Sequence, residues 1–406
     1  MKRVLIVADV YPPEVSSASA LMRGLAVGLA GRGYAVTVVT SYPRHYLAAN
    51  AKDKDFSEIE EEDGVRVIRT KVLPHHKVNF VFRGVAQLLL PFIFFRKAVK
   101  RMAAPPDVVI VYSPPLPQAL VGLKFKKKFG SKVILNVQDI FPQNAIDLGI
   151  LRSRPLITFF EWLERRIYDA VDVITFNSDG GRRFLIDQKG VPPEKVITLP
   201  NWIDLEGYKR LMERKMDFRG RWGLVGKFVF LFGGILGPAQ GLDFLIEVAS
   251  RVTDMPDIVF LLVGDGTEKG KIRNLIRTRG LKNVVLMPFV EQSEYPALVN
   301  EMDVGVVCLS SANKTSFIPG KFLGYLGAGK PVLALLNHGS DGFELVKRAQ
   351  CGFAVEAGDI NGAVEAVRSM RTDNGKTIKF GANAREFALN HLSLDSALDK
   401  LESQFS

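Results

Sequence analysis

The sequence is poor in the residues that mark redox and metal chemistry, with two cysteines and five histidines in 406 residues. Cys308 lies in the apolar run Val304 to Leu309 and Cys351 precedes Gly352-Phe353, so both read as small core hydrophobes. No disulfide framework is expected, which fits a reducing cytoplasm. The pair His75-His76 diverges on any regular element and has no third ligand in pattern, so neither a metal nor a cofactor is predicted. RNA-binding aromatic motifs, zinc-finger spacings and a basic recognition helix are absent, so nucleic acid is not an expected partner. Long apolar runs are lacking too. Val4 to Val7 is cut short by Asp9 and the turn Tyr11-Pro-Pro-Glu14, which makes it a first strand and not a signal peptide.

A basic excess is present. The net charge is +11, with a pI near 9.5, and suits anionic membrane faces or phosphorylated ligands. Hydrophobic content of 47% with 24% charged residues describes an ordinary folded chain. Its length exceeds the usual ceiling for one core, which predicts two domains. Apolar runs alternate with helical periodicity from end to end, the pattern of parallel α/β architecture. Strands are expected at 4–9, 35–40, 65–70, 107–113, 132–139, 172–178 and 196–200. A second series follows at 228–234, 258–263, 283–287, 303–309, 331–336 and 353–356. The boundary is placed near Asn201 to Asp204, giving domains 1–203 and 204–390 and a last helical piece, 391–406.

Segment Asn79 to Arg101 has an apolar run, Val85 to Phe95, broken by Gln87 and Pro91 and followed by Arg96, Lys97, Lys100 and Arg101. It is short of the roughly 18 apolar residues of a membrane span. Two readings stand: a crossover helix packed on the sheet, and an interfacial helix lying on an anionic leaflet. They are compatible if only one side of the helix is buried.

The most informative segment is Phe317-Ile-Pro-Gly-Lys-Phe-Leu-Gly-Tyr-Leu-Gly-Ala-Gly-Lys-Pro-Val332. It reads as a loop, a short helix opening near Lys321, a Gly-rich stop and a buried strand. Backbone N–H groups at such an opening suit a phosphate, and Lys321 adds a point charge for a diphosphate. Gly264, Asp265 and Gly266 end an apolar strand, where glycine lets a backbone come close to a ligand; a plain turn between strand and helix is the alternative.

Taken in order and spacing, these pieces resemble glycosyltransferase family 4. Within it they are similar to the colanic-acid-type fucosyltransferases and fucosamine-type transferases of bacterial surface polysaccharide synthesis. The stretches that carry the resemblance are Tyr11 to Glu14, Arg32 to Thr40, Ser113-Pro-Pro-Leu116, Asn136-Val-Gln-Asp-Ile-Phe-Pro142 and Leu199-Pro-Asn-Trp202. Gly233 to Asp243, Val263 to Gly266, 317–332, Cys351-Gly-Phe and Glu356 to Asp359 continue it. The resemblance implies a GT-B fold, two Rossmann-like doubly wound domains facing an interdomain cleft. The first would bind the acceptor and the second the nucleotide-sugar, with the last helix crossing back to the first.

By the same resemblance, Gly264 to Gly266 lie beside the nucleotide and Phe289 near the base. The loop containing Gly234, Gly237 and Gln240, together with Pro319, Gly320 and Lys321, would face the diphosphate, as would Ser16 and Ser17 from the first domain. Many relatives hold an Arg and a Lys in the first of these loops, where this chain has Ile235 and Gln240; Lys321 or Lys314 would substitute. Many also carry two glutamates, one near the transferred sugar and one on the ribose; counting back from Gly329 puts Ser316 and Gly324 there. The catalytic candidates are therefore Ser316 and Asp139, a strand-end carboxylate that orients an acceptor hydroxyl or takes its proton. Asp139 reads equally well as a loop-bracing group.

The implied activity is transfer from a nucleoside-diphosphate sugar to a lipid-linked saccharide, with retention and without a metal. It would act in the cytoplasm, peripherally at the anionic inner face of the membrane. The rivals are a non-catalytic partner subunit that binds nucleotide or glycan, and a sugar-nucleotide epimerase.

Overall fold

The computed structural model describes residues 1–14, 16–44, 47, 55–73, 80–147, 149–313 and 318–405. The chain divides into two compact units, Met1–Asn201 with Leu394–Ser406, and Trp202–Ser393.

The first unit holds a sheet ordered β3-β4-β2-β1-β5-β6-β7-β8. Its strands are β1 (Arg3–Val7), β2 (Ala35–Ser41), β3 (Ile59–Glu62), β4 (Val65–Thr70), β5 (Val108–Ser113), β6 (Lys132–Val137), β7 (Val173–Phe176) and β8 (Val196–Thr198). All pairs are parallel except β3 with β4. Continuous burial along β5 follows from helices covering both faces of a parallel sheet. Strand β3 is different. It is short, acidic and at the edge, and Arg69 of β4, only 1% exposed, pairs with its Glu60 at 3.1 Å and Glu62 at 2.8 Å. The apolar-run pattern predicts the seven parallel strands and misses this one.

The helices here are α1 (Ser17–Gly31), α2 (Phe80–Arg101), α3 (Ala119–Phe129), α4 (Gln143–Asp147), α5 (Arg154–Ala170) and α6 (Asp179–Asp187). Helix α3 contacts α2 on one side and α5 on the other, so the three form one layer. From that layer Leu90, Phe94, Phe125, Phe160 and Ile167 enter a single core with Leu5, Val7, Val109 and Val133. Pro91 lies inside α2 without ending it.

The second unit contains α7 (Leu205–Met212), α8 (Phe218–Arg221), β9 (Phe228–Ile235), α9 (Leu242–Ser250), β10 (Ile258–Asp265), α10 (Lys269–Thr278), β11 (Val284–Met287), α11 (Tyr295–Glu301) and β12 (Val304–Cys308). It continues with α12 (Lys321–Gly327), β13 (Val332–Leu336), α13 (Gly342–Ala349), β14 (Gly352–Glu356), α14 (Ile360–Thr372) and α15 (Asn374–His391). Its sheet, ordered β11-β10-β9-β12-β13-β14, is parallel throughout. After β9 the chain builds outward to β11, then returns to place β12 on the other side of β9. That reversal opens a crevice at the carboxyl ends of β9 and β12, where ligands of such sheets bind.

The final helix, α16 (Leu394–Glu402), belongs to the first unit. Arg32, just past α1, reaches Asp399 at 2.6 Å, Glu402 at 2.9 Å and Asp395 at 3.1 Å. Leu398 and Leu401 are buried, and Phe405 packs edge-on against Tyr34.

Candidate active site

The reversal point of the second sheet gathers several of the sequence candidates. Strands β9 and β10 run in register to their ends, with Gly264 opposite Gly234 and Asp265 opposite Ile235. They come so close that a Cβ on Gly264 would stand 1.8 Å from the Gly234 carbonyl oxygen. Only glycine fits there, so strand pairing by itself requires Gly264. Asp265 also has an internal role, accepting from the Gly266 N–H at 2.8 Å and from Lys269 Nζ at 2.8 Å, and these contacts hold its pKa low.

Beyond β9 the chain turns through Gly237, whose carbonyl accepts from the Gln240 N–H at 3.0 Å. Gln240 Oε1 in turn accepts from Lys321 Nζ at 2.8 Å. The Lys321 side chain passes over the Gly234 backbone, 3.2 Å from where a Cβ would be, and its Nζ lies 4.8 Å from the centre of the Phe232 ring. The hydrogen-bond partner of this ammonium is a neutral amide oxygen and not a carboxylate. Withdrawal from water therefore lowers its pKa to about 8, a shift that the Cys308 thiol partly opposes. Gly234, Gly237, Gln240 and Lys321 thus converge. Pro319 is buried just ahead of α12, and Gly320 is exposed at its start, where no side chain caps the helix. Phe289, 53% exposed, follows β11 at the same end of the sheet.

Gly324 lies one turn along α12 from Lys321, on the same face. The space a side chain would take is bordered by the Tyr208 hydroxyl, 3.2 Å from an ideal Cβ, and by the Tyr295 ring at 3.8 Å. The Tyr208 hydroxyl is buried and has no hydrogen-bond partner among the described residues. Its neighbours are satisfied: Tyr325 Oη donates to the Leu231 carbonyl at 2.9 Å and accepts from the Gly233 N–H at 3.2 Å, and Tyr295 shares a hydrogen bond with Tyr325. Burial raises the pKa of all three phenols, Tyr295 to about 12, so they stay neutral. An unpaired buried hydroxyl costs stability, so its retention beside an empty position is notable. Sequence reading misses Tyr208, because it sits at the head of a charged stretch with no motif around it.

The first unit supplies other candidates. Ser16 is the N-cap of α1, its hydroxyl accepting from the Ser19 N–H at 3.1 Å, and Ser17 is exposed in the first turn. Gln138 is tied into an amide chain at the ends of β6 and β7: its Nε2 donates to Asn136 Oδ1 at 2.8 Å, and its Oε1 accepts from Asn177 at 3.1 Å and Asn201 at 2.8 Å. Asp139 directly follows this hydrogen-bonded glutamine. Protein packed around its carboxyl lifts it to about 6, with the Ile140 N–H pulling the other way, although the residue as a whole is exposed at the surface. Ser316, Lys314, His75 and His76 lie outside the described residues. Among the described residues no three His, Cys, Asp or Glu side chains converge as a metal site would need, and no helix is long and apolar enough to cross a membrane.

The comparisons with known proteins follow this division of the chain. Residues 18–202 match the family model described as a glycosyl transferase 4-like domain, and residues 227–373 match glycosyl transferases group 1. A protein named as a colanic acid biosynthesis glycosyl transferase, WcaI of Escherichia coli strain K12, is 25% identical over 80% of this chain and 81% of its own. An Escherichia coli UDP-Gal:alpha-D-GlcNAc-diphosphoundecaprenol alpha-1,3-galactosyltransferase is 24% identical over 61% of this chain and 63% of its own. In fold the chain is similar to Anabaena Alr3699/HepE, solved in complex with UDP, at a TM-score of 0.72, with 17% identity over 100% of this chain and 99% of that one. It is also similar to WaaG, a glycosyltransferase involved in lipopolysaccharide biosynthesis, at 0.68, with 17% identity over 99% of each chain. With a glycosyl transferase 4-like model on its first half, a group 1 model on its second and the GT-B fold beneath both, this chain belongs to the glycosyltransferases.

Proposed function

We propose that the protein transfers a sugar from a nucleoside-diphosphate sugar to a lipid-linked saccharide during surface polysaccharide synthesis, with retention and without a metal ion. The observation that carries the reading is Lys321. It is a lysine withdrawn from water, held by the neutral Gln240, above a glycine backbone at the reversal point of a parallel sheet. A diphosphate would repay that desolvation with a full ion pair. In the transfer, the bond from the anomeric carbon to the diphosphate oxygen breaks and its electron pair leaves with the phosphate. Lys321 and nearby N–H groups offset that charge. The acceptor hydroxyl oxygen bonds to the carbon on the face that the phosphate leaves, so the configuration is kept, and a base takes the hydroxyl proton; Asp139, whose raised pKa suits a base near neutrality, is the first unit's candidate for it.

The relatives support the nucleotide class and the acceptor class. Alr3699/HepE is named in complex with UDP, and the galactosyltransferase is named for a diphosphoundecaprenol acceptor. A thermal-shift series with UDP, GDP and their sugars tests the donor. Ligand at 100 times its Kd is expected to add about 2.7 kcal/mol of stability. If no nucleoside diphosphate or its sugar shifts the melting temperature, the donor assignment fails.

A further inference from the structure

The outer side of the α2–α3–α5 layer combines two properties that a solvated helix face does not share: it is apolar, and it is basic. On α2 the row Ala86, Leu90, Phe94 and Ala98 enters the core, while Val85, Leu89 and Phe92 stay exposed, Phe92 at 51%. Helix α5 repeats the arrangement. Phe160, Leu163 and Ile167 point inward, and Leu156, Phe159 and Trp162 remain exposed, Trp162 at 52%. Cations lie over the outward rings, with Lys124 Nζ 4.3 Å from the centre of Phe92 and Arg166 Cζ 5.4 Å from that of Trp162.

The charge is one-sided. Together α2, α3 and α5 contain twelve Lys and Arg against three acids, and α2 and α3 contain no acid at all. Some of this charge is used internally: Lys97 and Arg101 pair with Glu58, Lys126 pairs with Asp172, and Glu164 is buried against Lys189. Lys127 and Lys128 are exposed on α3, and Arg165 and Arg166 on α5. An apolar protein partner would explain the rings without the cations, and nucleic acid the cations without the leucines. Aromatic side chains flanked by long cationic ones fit the boundary between headgroups and acyl chains of an anionic bilayer.

We propose that the outer face of α2, α3 and α5 seats the protein on an anionic lipid surface, with Phe92, Phe159 and Trp162 entering the headgroup boundary. This goes beyond the donor reading and does not depend on it. Sequence periodicity singles out the α2 segment alone; α5 becomes part of the surface only through the fold.

The test is cosedimentation of the full chain with phosphatidylcholine vesicles, with and without phosphatidylglycerol. Binding is expected only with phosphatidylglycerol and should fall as salt rises. Brominated acyl chains should quench emission present in the native protein and missing from Trp162→Phe. Phe159→Ser with Trp162→Ser, and separately Lys124→Glu with Lys128→Glu, should each lower vesicle binding ~10-fold or more. The thermal melting temperature and far-UV circular dichroism serve as the controls for folding in both variants and should not change. Equal binding to neutral vesicles, or retention by both variants, overturns the proposal. So does self-association of the native protein that Phe159→Ser with Trp162→Ser abolishes, because the face would then be a contact between copies.

Discussion

The two units carry opposite chemistry at the carboxyl ends of their sheets. The second presents a cation, Lys321, among glycines and neutral phenols; the first presents a carboxyl, Asp139, beside a chain of amides. In both, surrounding protein drives the group towards its neutral form, Lys321 down to about 8 and Asp139 up to about 6. Neither shift helps the unliganded fold. Lys321 sheds its proton more readily folded than unfolded, so its contribution to stability is fully present above about 10.5 and is lost as pH falls through 8. Asp139 holds its proton more tightly when folded, so its contribution is fully present below about 3.9 and is lost as pH rises through 6. Groups that weaken the resting fold near neutral pH, one of each sign, are positioned for a ligand rather than for stability.

The contrast breaks most visibly at Asp139. If it takes the acceptor proton, Asp139→Asn should lower kcat ~100-fold or more while donor affinity stays near its native value. The native pH–rate profile should fall on the acid side with a midpoint near 6, and that limb should vanish in the variant. Native turnover in Asp139→Asn would reduce the carboxyl to a loop brace.

The second unit is sharpened by Lys321→Ala. Loss of a charge-assisted contact should weaken UDP binding by ~10- to 100-fold and leave uridine binding unchanged. For the native protein, UDP affinity should decline as pH rises above about 8, as the ammonium deprotonates. Isothermal titration across pH measures both, and equal losses for UDP and uridine would reject the phosphate role.

The smallest effect is expected at Tyr208. Tyr208→Phe removes the unpartnered hydroxyl without changing shape. Donor affinity should fall ~5-fold, the worth of one neutral hydrogen bond, and the melting temperature without ligand should hold or rise. A lower melting temperature with unchanged affinity would make the hydroxyl structural.

The parallel strands were legible because burial on both faces leaves a nearly continuous apolar run, as in Val108 to Tyr112 or Ile258 to Val263. Strand β3 was illegible for the converse reason. Glu60 and Glu62 have poor strand propensity and are held by Arg69 of the next strand, a partner that no local pattern reveals. The glycines of the donor loop were legible as residues but not in their cause, since Gly264 is required by the neighbouring strand as well as allowing close approach of a ligand. Tyr208 was invisible because its position is defined by an absence, the missing side chain of Gly324, more than a hundred residues away along the chain. The outward face of α5 was missed because its inward residues supply an ordinary helical period, and exposure of the others is a property of the layer.

The attachment of α16 to α1 has a consequence for biosynthesis. A ribosome releases residues 1–201 well before 394–405, so the first unit must wait, through synthesis of the entire second unit, for its final helix. During that interval the surface around Gly28 and Arg32 lacks Leu398, Leu401 and three carboxylate partners, and nascent α1 shows an apolar seat to whatever is nearby. The second unit has no such delay: its elements are contiguous, and it can close as soon as α15 emerges. A chaperone that guards nascent chains therefore has its longest task at the part of the molecule made first.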